Sequence, residues 1–283
     1  MSSKSSLEHR GLIVYVVLAY LLSWLCLVPI ILYRSRGIAI VGPILSGLLF
    51  ASSFGPLISA FVVTRWQEGT AGVHALLAQG LRWRVRPLWY LVALLAPPLL
   101  MLLANVLYAI IGGVLVFPKP LAWLVVPLNS VLVFLLGGPL GEEFGWRGYA
   151  LPRLQAQYGS LRASIILGTL WAMWHLPLFF IAGTAQSLLP FWLFLLQCLA
   201  LTIVFTWLYN STGGSVLLTM LFHTSINTFG GVLHILPGAG QPLLPYILTT
   251  VLLWLFAFVV VMAHRGPGEF SWLRTVTDLG RGK

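Results

Sequence analysis

The strongest constraint on this chain is the recurrence of long apolar runs, such as LIVYVVLAYLLSWLCLVPIIL at 12–32 and YILTTVLLWLFAFVVVMA at 246–263. Runs of about 20 such residues cross the roughly 30 Å of bilayer hydrocarbon as helices, the only open-chain form that satisfies its own backbone there. With 59% hydrophobic and 8% charged residues, the composition excludes an ordinary soluble domain. The expected fold is all-α, a polytopic bundle of about eight transmembrane helices around a polar intramembrane cavity. Charged and Pro/Gly-rich breaks set the spans at 11–33, 39–64, 88–116, 121–144, 162–181, 190–210, 214–233 and 243–263. Residues 1–283 read as one integral-membrane domain without internal repeats.

The first run is longer than the core of a cleaved signal peptide and lacks a small-x-small cleavage site, so it is expected to stay as a helix. Cys26 and Cys198 lie inside apolar runs, which leaves neither a disulfide framework nor a CxxC metal site. The net charge of +10 sits at helix ends and in loops, forming no basic domain for nucleic acid. Inner segments carry Lys4 and Arg10, then Arg65, Arg82, Arg84 and Arg86, then Arg147, Arg153 and Arg162, and finally Arg265, Arg274, Arg281 and Lys283; outer segments carry Arg34, Arg36 and Lys119. That bias predicts cytoplasmic N- and C-termini. Segment 66–86 reads either as an interfacial helix or as a basic loop with one short helix, and the tail 269–283 as hugging the inner surface.

Ionisable residues inside the spans are costly and usually face a partner or a wet cavity. Two of the six acids, Glu142 and Glu143, fall there, as do His175 and His223. Glu143 and Arg147 are spaced i,i+4 and can pair, while Glu142 points about 100° away, free to face another group. His223 and Asn227 share one helix face by the same spacing. Gly137, Gly141 and Gly145 form a small-residue ridge that admits a close neighbouring backbone, and Pro139 is placed to kink the helix. Such a carboxylate, imidazole and amide set can bind a metal, activate water or move a proton.

These residues carry three motifs resembling those of the CPBP family, also called the Abi or type II CAAX protease family. They are Glu142-Glu143-Phe144-Gly145-Trp146-Arg147 as EExxxR, Trp171 four residues before His175, and His223 four residues before Asn227. The motif-bearing core is about 121–233; Trp171 stands where phenylalanine is commoner, and the position is expected to pack. The resemblance implies an intramembrane endopeptidase with a cavity opening toward the cytoplasm. It acts on a peptide or protein substrate, lipidated or not, near the surface of the bilayer. By carry-over, Glu142 is the general base, His175 helps to orient and deprotonate water, and His223 and Asn227 stabilise the oxyanion, with Glu143 and Arg147 supporting. Zinc held by Glu142, His175 and His223 uses the same residues in another way, although the HExxH helix is missing. Both mechanisms stay open. Two other classes compete: an inactive scaffold or bacteriocin-immunity protein, and a proton-coupled transporter, for which no inverted repeat is found. With no organelle signal evident, a bacterial inner membrane is the expected location.

Overall fold

Where lipid offers no hydrogen-bond partner, each apolar run closes its own backbone as helix. The computed structural model describes residues 3–38, 42–115, 118 and 120–263, and among these there is no strand. The helices are α1 (Ser3–Ser35), α2 (Gly42–Ser52), α3 (Gly55–Gly80), α4 (Pro87–Ile110), α5 (Pro120–Leu136), α6 (Pro139–Glu143), α7 (Leu151–Trp174), α8 (Phe191–Ser211), α9 (Val216–Val232) and α10 (Leu244–Ala263). A π-helical stretch, Phe144–Ala150, joins α6 to α7. The chain is a polytopic helical membrane protein. The anticipated tail interaction at 269–283 lies outside the described residues.

Three departures from the expected spans have local causes. The second span is two helices, broken at Ser53 and Phe54 before Pro56 enters the first turn of α3. The fourth span ends at Leu136; Gly138 adopts φ 108°, and Pro139 starts a new helical stretch there. That stretch continues through the π turn into α7, whose helical path is interrupted at Gly159 (φ 74°, ψ 168°). By length and composition six helical segments suffice to cross a membrane, among the described residues. The expected fourth and fifth spans merge in Pro120–Phe180, and Val216–Val232 is shorter. Segment 66–86 takes in a break in α3 at Gly69 (φ 69°), the half of that helix running on to Gly80, and the non-helical residues that follow. Its Leu76 is buried while Leu77 and Leu81 are exposed.

Interhelical bonds define the two ends of the bundle. At one end, Arg82 donates to the Gly213 carbonyl and Ser215 Oγ donates to the Arg82 carbonyl at 2.7 Å. Arg153 pairs there with Glu68, and Tyr149 donates to Gln67 Oε1 at 2.8 Å. At the opposite end, Arg34 Nη1 donates to the Ala182 carbonyl at 2.6 Å. α9 runs from Val216 at the first end to Leu233 at the second, where Asn105 Nδ2 donates to its carbonyl at 2.9 Å.

Two members of the glycine ridge behave as their spacing suggests. A Cβ on Gly141 collides with the Ser53 carbonyl, and one on Gly145 falls 2.5 Å from Tyr15 Oη and 2.6 Å from the Pro56 carbonyl. Gly137 meets only its own helix, at Val133. The ridge therefore seats the glutamate segment against the α2–α3 junction. Gly141→Ala is expected to lower thermal stability in detergent, since strain of about 1–3 kcal/mol follows overpacking against backbone; Gly137→Ala, with no neighbouring helix to strike, should lower it less.

Candidate active site

The two adjacent glutamates lie in the first turns of a helix that begins at Pro139, where the positive end of the helix dipole favours carboxylates. They part company at once. Glu143, fully buried, accepts from Arg147 Nη1 at 2.7 Å and from His223 Nδ1 at 2.8 Å, both through Oε1. The bond to Arg147 matches the i,i+4 reading; the bond to His223 is additional to the oxyanion and zinc roles that the resemblance implies for that histidine. Arg147 is also fully buried, its guanidinium 3.8 Å from the centre of the Phe205 ring and 4.6 Å from that of Trp171. Its Nε and Nη2 make no hydrogen bond, and the two rings supply cation–π attraction to the guanidinium. Buried this way, Arg147 belongs to the interior and is no loop charge for topology.

Glu142 faces a cavity of about 670 Å³ that Trp171, His175, His223 and Asn227 also line. One carboxylate oxygen, Oε2, accepts from the Trp171 indole Nε1 at 2.7 Å. The other, Oε1, lies where a side chain on Gly138 would be, so glycine is needed there for space as well as for its positive φ. Trp171 was expected only to pack. Its donor is the functional contact that spacing alone missed, and the signal available was the residue type itself: an indole N–H, unlike a phenylalanine ring, seeks an acceptor when buried.

His175 follows α7 as its C-terminal cap, and its Nδ1 lies 2.8 Å from the Trp171 carbonyl. A carbonyl only accepts, so Nδ1 carries the proton and Nε2 keeps a lone pair in the neutral ring. In His223 the Nδ1 is likewise engaged, by Glu143, which leaves Nε2 as its unassigned nitrogen. Asn227 Nδ2 donates to the Gly137 carbonyl at 3.1 Å, at the break between α5 and α6, and keeps a second N–H. The structure thus gathers Glu142, His175, His223 and Asn227 on one cavity, with Glu143 and Arg147 behind it.

The donor types of Glu142, His175 and His223 suit zinc. As the side chains stand, no three His, Cys, Asp or Glu are grouped as a metal site among the described residues. Removing Arg147 should be severe, because it strands the shared Glu143 carboxylate in the interior. Arg147→Ala is expected to cost about 3–5 kcal/mol, measured as earlier unfolding in detergent.

Residues 96–229 match the model of the family described as Rce1-like, type II CAAX prenyl endopeptidase. A stretch of 103 residues is 38% identical to CAAX prenyl protease 2 of Methanococcus maripaludis, covering 34% of this chain and 38% of that protein. The chain thus aligns with well under half the length of that relative. The match over 96–229 takes in all three motifs, so this part of the chain is similar to the Rce1-like type II CAAX prenyl endopeptidases.

Proposed function

We propose that the protein is an intramembrane endopeptidase of the CAAX-protease type, in which Glu142 activates water for attack on a peptide bond. The observation that carries this reading is the pairing of a held carboxylate with a free imidazole nitrogen on one cavity. Trp171 fixes Glu142 Oε2, leaving Oε1 for water, and His175, held through Nδ1, lines the same cavity with Nε2 left over. In this reading water gives its proton to Glu142 while His175 Nε2 accepts its other hydrogen in a bond. The hydroxide adds to the carbonyl carbon, and the resulting oxyanion accepts from the second N–H of Asn227 and from a protonated His223 Nε2. Glu143 supports that protonated ring through Nδ1, as a carboxylate supports the histidine of a hydrolytic triad. Glu142 then passes its proton to the departing amine as the C–N bond breaks.

Zinc bound by Glu142, His175 and His223 is the other form of the same hydrolysis, and no step above depends on it. The substrate in this reading is a peptide or protein segment, lipidated or not. The relative's name, CAAX prenyl protease 2, supports this class. The protein resides in a bacterial inner membrane with cytoplasmic termini, and the motif-bearing core about 121–233 carries the chemistry.

Glu142→Gln should lower peptide cleavage by about 10²–10⁴-fold while leaving the unfolding temperature near that of the wild type; retained turnover overturns the assignment. Trp171→Phe keeps the packing but drops the bond to the carboxylate, and about a tenfold loss in kcat is expected from a charged hydrogen bond of that size. For the metal, the active purified protein is assayed for zinc by elemental analysis and for turnover after a strong chelator. Full turnover of metal-free protein supports the glutamate form, and loss restored by zinc supports the other.

A further inference from the structure

The cavity has a direction. Along α9 its lining runs from His223 through Ile226, Asn227 and Gly230 toward the C-terminal end of the helix, and beyond it to Leu236. Along α8 it runs from Leu201 back to Phe194 at the helix start, and it continues over Leu189, Gln186, Ala185 and Thr184 in the preceding segment. All of these lie between the level of Glu142 and the end where Arg34 binds the Ala182 carbonyl. None of the cavity's lining comes from the end held together by Arg82, Gly213 and Ser215.

The charges divide along the same axis. Arg10, Arg65, Arg82, Arg84, Arg86, Arg153 and Arg162 belong to the end away from the cavity, whereas Arg34 and Arg36 belong to the cavity's end, among the described residues. Glu68 offsets one of the former. Arginine-rich short connections stay on the cytoplasmic side. We infer that the cavity opens to the extracytoplasmic face, so that the peptide reaching Glu142 is presented from outside the cytoplasm.

This orientation is opposite to the cytoplasmic opening that the family resemblance implies. Resting on the protease reading for its substrate, the inference deepens that reading: the bond to be cut belongs to a secreted peptide or to the outer segment of a membrane protein. A chain modified and held in the cytoplasm has no path to the carboxylate. The apolar walls, with Leu189, Leu201 and Ile226 among them, suit an unfolded or extended apolar segment over a folded, charged surface.

Sidedness is testable without turnover. Cys26 and Cys198 are both free, so Cys26→Ala with Cys198→Ala gives a thiol-free background. In it, Gln186→Cys at the cavity mouth should react with a membrane-impermeant maleimide in intact bacterial cells. Ala78→Cys, exposed on the second half of α3, should react only after lysis. Alkaline phosphatase inserted after Gly183 should be active, and inserted after Gly213 inactive. Labelling of Ala78→Cys in intact cells, or activity of the Gly213 fusion with silence of the Gly183 fusion, overturns the orientation. A quenched peptide added outside intact cells separates the two ideas. Cleavage by the wild type but not by Glu142→Gln supports both, while the expected labelling without cleavage of any peptide on either side keeps the orientation and removes the protease.

Discussion

One buried oxygen organises this molecule. Glu143 Oε1 receives both the Arg147 guanidinium from its own helix and the His223 imidazole from α9. An unpaired carboxylate at that depth would be prohibitive, and each of its partners would be costly alone. Together they lock the helical stretch from Pro139 onward to α9. They also hold Arg147 under the Trp171 and Phe205 rings, and through Trp171 they connect to α7. The groups on the cavity wall are thus positioned by a charge cluster of which His223 alone lines the cavity, with Glu143 and Arg147 behind it.

The division between the two glutamates was legible from spacing. Glu143 and Arg147, four residues apart, had to share a face, and Glu142 could not share it. The facing of Asn227 and His223 followed in the same way. What spacing could not convey were contacts between helices distant in sequence. The Glu143–His223 bond spans 80 residues and the Trp171–Glu142 bond 29, and neither has a periodicity to betray it.

Helix ends were less legible than helices. Pro139 marked the break after α5, yet Gly145, Gly148 and Pro152 do not stop the helix, which runs on through the π turn at Phe144–Ala150 into α7. A hydropathy break at Arg147 suggested the end of a span; the arginine is instead interior, neutralised by a partner that hydropathy does not see. Gly69 and Gly159 show the converse, where one glycine with positive φ divides an otherwise continuous α3 or α7 into two segments.

The size and walls of the cavity carry a further consequence. A space of about 670 Å³ takes up tens of water molecules, yet most of the side chains around it are apolar and hold water poorly. A segment that enters displaces this loosely bound liquid at little cost, so its own apolar surface does most of the binding. Only where Glu142, His175 and Asn227 converge do polar groups offer a water several bonds at once. The interior thereby acts as a selective desiccant, drying the bulk of an entering chain while keeping its wettest spot beside one carboxylate.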